Sequence, residues 1–213
     1  GTDSNTLTGS YIENLSGSVV YLDSGSDRYT ISQSTLISNA NGSAVTLSGA
    51  DLNTVSDCYI ENLNGGGVNL GTNSDYNSII QSTIVVKRSV DRALFVTGDS
   101  NTVTASYLEN LPGDGILLDS GANNNIFSQD VVLTSAGSHY ALYLYNAKAN
   151  RVEDSIIRNI AGFGAYMETA SNGNLIIRST ITSDSTSANQ PALFVGYSSS
   201  NTILDSYIQG STA

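Results

Sequence analysis

The chain has 213 residues and a formal net charge of -11, with nineteen acidic side chains against eight lysines and arginines, and only 13% of residues charged. Such a balance disfavours nucleic acid, whose phosphates need clustered lysines and arginines, and an anionic membrane surface; no apolar run approaches the ~20 residues of a membrane helix. A single cysteine, Cys58, excludes an internal disulfide and a cysteine-based zinc cluster. The 33 serines and 22 asparagines are a flexible-linker composition, but a strict internal period argues against disorder.

The period is 24 residues. Anchor positions fall at Asn5, Tyr29, Asn53, Asn77, Asn101, Asn125, Asn150, Asn174 and Asn201, with steps of 24 except for one of 25 and a last of 27. Three short strands are predicted between anchors. The first centres two residues after the anchor, on Leu7, Ile31, Val55, Ile79, Val103, Phe127, Val152, Ile176 and Ile203. The second centres seven after it, on Ile12, Leu36, Ile60, Ile84, Leu108, Val132, Ile157, Ile181 and Ile208. The third reads small, aliphatic, variable, aliphatic, as in Ala44-Val45-Thr46-Leu47, Gly67-Val68-Asn69-Leu70 and Ala93-Leu94-Phe95-Val96, and continues to Ala192-Leu193-Phe194-Val195.

Apolar residues alternate with others inside these segments, which is strand periodicity. One coil cannot bury its apolar side chains, whereas stacked coils place like positions above one another and close a continuous core. The expected fold is all-β: a right-handed single-stranded parallel β-helix of about nine coils of ~24 residues, the last incomplete, forming one domain over residues 1–213. A left-handed hexapeptide helix lacks its six-residue period here, and a leucine-rich repeat would set its asparagine closer to the preceding leucine.

The stretches Ser4-Asn5-Thr6-Leu7, Asp99-Ser100-Asn101-Thr102-Val103 with Gly113-Asp114-Gly115-Ile116-Leu117-Leu118, and Ser200-Asn201-Thr202-Ile203 resemble the right-handed parallel β-helix, or pectate-lyase-like, superfamily, in wording close to NosD-like and carbohydrate-binding-and-sugar-hydrolase repeats. The resemblance covers the whole chain and implies the fold; it does not assign a function.

A second period overlies the first. Odd coils carry Tyr11-Ile12-Glu13-Asn14-Leu15, Tyr59-Ile60-Glu61-Asn62-Leu63 and Tyr107-Leu108-Glu109-Asn110-Leu111, starting 48 residues apart; even coils carry Gln33-Ser34-Thr35-Leu36 and Gln81-Ser82-Thr83-Ile84. Loops after the second strand alternate short and long, and the long ones are Ser38–Ser43, Val86–Arg92, Ser135–Tyr140 and Ser183–Pro191. A duplicated two-coil unit with diversified even loops accounts for this.

The asparagine ladder reads as structural, because Asn tolerates turns and stacked amides bond from coil to coil. Cys58 stands in a serine column and reads as an inert buried thiol. The lone histidine, His139, reads as a solvated loop residue, and Asp23, Asp119 and Glu168 read as scattered acids. Catalysis finds only weak candidates in the basic loop Lys87, Arg88, Asp91 and Arg92 with Asp114 on the next coil, where cations would neutralise a uronate. No cofactor is called for, although a lyase reading would add Ca2+ beside the acids. Binding candidates are aromatic: Tyr21, Phe95, Tyr143, Tyr166 and Phe194 at the variable, outward position of the third strand, and Tyr11, Tyr59 and Tyr107 on odd coils ~9.6 Å apart, near a disaccharide repeat. Like aromatics stacked across strands also stabilise a sheet on their own.

The expected function is a noncatalytic structural and interaction solenoid of a secreted or cell-surface protein, binding polysaccharide along its aromatic ladders. The alternative is a polysaccharide lyase, hydrolase or epimerase. Expected partners are a polysaccharide and further solenoid coils or end-to-end copies of the chain, with no nucleic acid and no membrane insertion. Because the repeat is in register by Asn5, stops partway through a coil after Ser206-Tyr207-Ile208 and shows no capping segment at either end, a segment of a longer protein is expected.

Overall fold

The computed structural model describes residues 4–88 and 90–211. It is a right-handed parallel β-solenoid, and every secondary-structure element among the described residues is a strand. Each coil contributes one strand to each of three sheets. The first sheet runs from Thr6–Thr8 to Thr202–Leu204 and the second from Tyr11–Asn14 to Tyr207–Gly210, with nine strands each; the third, from Val20–Leu22 to Leu193–Val195, has eight. The architecture is therefore eight complete turns and two strands of a ninth, the incomplete last coil that the spacing predicts.

Register follows the sequence period. Leu7 pairs with Ile31, Ile12 with Leu36, and Val20 with Val45, always in parallel. The alternating apolar residues point inward and stack. Ile31, Leu36, Ile60, Ile79, Ile84, Leu94, Leu108, Ile116 and Leu118 are fully buried, and one continuous cluster runs the length of the rod. The small residue opening each third strand has a steric cause: a Cβ on Gly115 would lie 2.4 Å from the carbonyl oxygen of Ala141 on the next coil, and one on Gly67 would lie 2.3 Å from that of Ala93.

Polar ladders close the corners. The Oδ1 of Asn77 accepts from the backbone N–H of Asn53 at 2.8 Å, Asn101 accepts likewise from Asn77, and Asn125 from Asn101. The Nδ2 groups of Asn77, Asn125 and Asn150 donate to the carbonyls of Ala50, Gly98 and Ala122. These buried amides satisfy backbone groups that the turning chain takes out of the sheets. The serine column does the same: Ser82 Oγ accepts from Cys58 N, Ser106 Oγ from Ser82 N, and Ser179 Oγ from Ser155 N. Cys58 is buried, its thiol donates to the Ser56 carbonyl, and burial raises its pKa.

The left-handed turn residue is not the asparagine but the residue before it. Arg28, Leu52, Tyr76, Ser100, Asn124 and Ala149 have φ of 55–59°. A matching column, Gln33, Asp57, Gln81, Ala105, Gln129 and Asp154, precedes the serine ladder at φ 48–59°. Such a conformation costs a non-glycine residue roughly 1 kcal/mol, and the ladder bonds on either side hold it in place.

The Glu-Asn-Leu segment of odd coils has an evident purpose. Asn62 Nδ2 donates to Gly66 O in its own short loop and to Gly42 O in the long loop of the preceding even coil. Asn110 joins Asp114 O and Asp91 O in the same way, and Asn159 reaches His139 O. Asparagines thus staple the first three even loops to the odd coil above each; at the fourth, Gly210 stands where the asparagine would be. The Oδ1 of Asn62 accepts from the N–H groups of Asn64 and Gly65. The corresponding Oδ1 of Asn110 has no partner, because Pro112 stands where Asn64 supplies its N–H.

Candidate functional site

The third sheet widens in the middle of the rod. Its strands are three residues long at Val20–Leu22, Val45–Leu47, Val68–Leu70 and Leu193–Val195, but five at Arg92–Val96 and Asp114–Leu118 and six at Tyr140–Tyr145 and Phe163–Glu168. The long even loops lead into Arg92 and Tyr140, the short odd loops into Asp114 and Phe163, and the Asn110 and Asn159 amides pin the ends of the even loops. The outer face there is a grid of three columns. The first holds Arg92, Asp114, Tyr140 and Phe163; the second Phe95, Leu117, Tyr143, Tyr166 and Phe194; the third Thr97, Asp119, Tyr145 and Glu168.

The aromatic rings form one cluster. Tyr140 lies 4.6 Å from Tyr143 and 4.8 Å from Phe163, centroid to centroid; Tyr143 meets Tyr166 edge-on at 5.6 Å; Tyr166 stacks on Phe194 at 4.3 Å with 13° between the planes. Beside it lies an open groove of 260 Å³, lined by Arg92, Leu117, Asp119, Tyr143 and Tyr145. A smaller hollow of 60 Å³, lined by Ser43, Gly66, Asp91, Arg92 and Phe95, lies on the other side of Arg92. The Arg92 guanidinium rests over the Phe95 ring at 5.8 Å, a cation–π arrangement that flattens the arginine against the sheet.

Asp114 organises the polar end. One carboxylate oxygen accepts from Tyr140 N at 2.9 Å and meets His139 Nδ1 at 3.0 Å; the other lies 3.8 Å from Arg92 Nε. His139 is therefore a positioned side chain, 27% exposed, and not the free loop histidine that its isolation in the sequence suggests. The repeat sets it 25 residues, one coil, after Asp114, but the length of the variable loop decides whether the two meet. Asp119 and Glu168, scattered in the sequence, both come to Tyr143: Asp119 shares its groove, and Glu168 accepts a short hydrogen bond from its hydroxyl. Burial, then that bond, pushes the Tyr143 pKa far up, and burial also raises those of Tyr140 and Tyr166. All three hydroxyls stay protonated donors.

The other sequence candidates are dispersed. Lys87 pairs with Glu109 at 3.5 Å and Arg88 with Asp91 at 3.6 Å, so this loop is largely charge-matched to neighbouring acids, with only Arg92 and Asp114 in the grid. No group of three or more His, Cys, Asp or Glu side chains among the described residues is arranged to hold a metal ion. Tyr21 lies in the same register column as Phe95 and Tyr143 but three coils from Phe95, on the narrow part of the sheet, between no other aromatics. Leu117 occupies the outward position yet is only 6% exposed, covered by its neighbours.

Tyr11, Tyr59 and Tyr107 stand on the second sheet, away from the grid. Each hydroxyl donates to the glutamate two residues on, at 3.4 Å to Glu13, 3.1 Å to Glu61 and 2.6 Å to Glu109. Burial and the Glu109 bond push Tyr107 up to about 12.

The architecture is similar to that of several solved β-helix proteins. A variant of the periplasmic alginate epimerase AlgG superposes with a TM-score of 0.76 at 9% identity, over 94% of this chain and 50% of that one. A tailspike protein of E. coli bacteriophage HK620 in complex with a pentasaccharide gives 0.67 at 15% identity, over 94% and 43%. The enzymatically active domain of tailspike protein 2 of bacteriophage CBA120 gives 0.57 at 12%, over 95% and 39%. At these identities the likeness is one of fold, and the chain spans half or less of each of these proteins. No curated protein matches its sequence. The family model for the right handed beta helix region matches residues 1–132 and 92–212, and the chain belongs to that family.

Proposed function

We propose that the outer face of the third sheet across coils four to eight is a polysaccharide-binding surface, and that the chain acts as an interaction solenoid of a secreted or cell-surface protein. The observation that carries this is the cluster of Tyr140, Tyr143, Phe163, Tyr166 and Phe194 against an open groove with polar walls. Aromatic π faces are negative and sugar C–H groups slightly positive, so rings stack on one another's faces, while Asp119 and the tyrosine hydroxyls are placed to bond sugar hydroxyls. The relatives add support: one carries a bound pentasaccharide and another is a periplasmic enzyme named for alginate.

The test is affinity electrophoresis through gels containing polysaccharides. A Tyr143→Ala, Tyr166→Ala, Phe194→Ala triple variant should lose its retardation at least tenfold while keeping its strand circular dichroism. Equal retardation of variant and parent would overturn the assignment.

A second reading, a polysaccharide-active enzyme, is favoured by one observation: Asp114 holds the His139 ring, as a carboxylate orients an imidazole general base. Release of new reducing or unsaturated ends from the bound polymer, abolished by His139→Ala with binding retained, would establish it.

A further inference from the structure

We propose that the polymer held on this face is an uncharged polysaccharide and not a polyuronate, an inference that rests on the binding reading above. The charges around the two hollows carry it. Asp91, Asp114, Asp119 and Glu168 line or adjoin them, against Arg92 and a single histidine. Arg92 is partly neutralised: Asp114 lies 3.8 Å from its Nε, an ion pair without a hydrogen bond, and its guanidinium rests on Phe95. The nearby cations are matched as well, Lys87 by Glu109 and Arg88 by Asp91.

A polyuronate brings one carboxylate per sugar ring, so along this grid it would face fixed carboxylates of like sign, in a protein whose net charge is -11. A neutral chain meets no such opposition, and the same carboxylates suit it. One oxygen of Asp119 accepts from Ser120 N at 2.6 Å, which leaves the second to accept from a sugar hydroxyl. Glu168 fixes the Tyr143 ring through its hydroxyl and so holds the stacking face steady. The second aromatic column repeats the pairing of ring with acid at Tyr11–Glu13, Tyr59–Glu61 and Tyr107–Glu109, so neither aromatic surface presents net positive charge.

The experiment compares retardation of the intact chain in gels of hydroxyethyl cellulose, glucomannan and polygalacturonate. The expected result is retardation in at least one neutral gel, unchanged between about 0.02 and 0.5 M salt, and none in polygalacturonate. The double variant Asp119→Asn, Glu168→Gln, which keeps shape and removes two charges, should gain about tenfold in affinity for polygalacturonate at low salt. Retardation of the parent by polygalacturonate, or a double variant that gains nothing, overturns the inference while the binding site stands. Retardation by no gel overturns the binding reading itself, and this inference with it.

Discussion

Replacing Asp130 with serine is expected to stabilise the protein by about 4 kcal/mol at pH 8 and by almost nothing at pH 4. Asp130 occupies the serine column and is buried. Its Oδ1 accepts from Ser106 N at 2.8 Å, but its second oxygen has no partner. Serines in this column donate their hydroxyl to the carbonyl two residues back, as Ser106 does to Thr104 and Ser155 to Glu153; an ionised carboxylate has no proton to donate. Burial raises the Asp130 pKa from 3.8 to about 7, with the Ser106 amide only partly opposing it. The folded protein therefore holds a proton that the unfolded chain has lost between about pH 4 and 7, and over that window this group lowers stability as pH rises, by about 1.4 kcal/mol per unit. Above pH 7 the penalty is complete and constant. Urea midpoints of parent and Asp130→Ser at pH 4, 6 and 8 should diverge as pH rises, with Asp130→Asn diverging in the same direction. Parallel profiles would show that the carboxyl is solvated.

The neighbours Ile156 and Ile157 provide the second large effect. Ile157 is 1% exposed and stacks between Val132 and Ile181, while Ile156 is 47% exposed on the outer face of the same strand. Ile157→Asp puts a charge where no polar partner exists and removes a full side chain of apolar burial, a loss of at least about 4 kcal/mol. Because each coil of a solenoid rests on its neighbours, the loss should uncouple coils six and eight from coil seven and break the single melting transition. Ile156→Asp should change stability by no more than about 0.5 kcal/mol. Thermal unfolding followed by circular dichroism reads both, and similar melting of the two variants would mean that the side-chain alternation is misassigned.

That pair also shows what the sequence reveals. Period, strand positions, inward residues and the outward column from Tyr21 to Phe194 are legible because each of nine coils repeats the same steric problem, and errors at one coil are corrected by the others. The left-handed corners were not legible. Leu52, Tyr76 and Ala105 adopt φ of 53–59° with no glycine to mark them, because the flanking ladder bonds, not local preference, impose the conformation. The candidate site was half legible. Its aromatic column follows from the repeat, whereas the meeting of His139 with Asp114 depends on long loops whose lengths vary. Asp119 and Glu168 looked scattered because they lie 49 residues apart, yet they sit one coil to either side of Tyr143. The staple at Asn110 and Asn159 was visible as a repeated asparagine but not as a clamp, since its partners are backbone carbonyls of diversified loops.

The most direct test of the binding surface is tyrosine-selective chemical footprinting, read by mass spectrometry, with and without saturating hydroxyethyl cellulose or glucomannan. Modification of Tyr143, Tyr145 and Tyr166 should fall several-fold on adding the polymer, while Tyr11, Tyr76 and Tyr207, exposed elsewhere on the rod, keep their reactivity. Protection centred on Tyr11, Tyr59 and Tyr107, with the third-sheet tyrosines unchanged, would contradict the account.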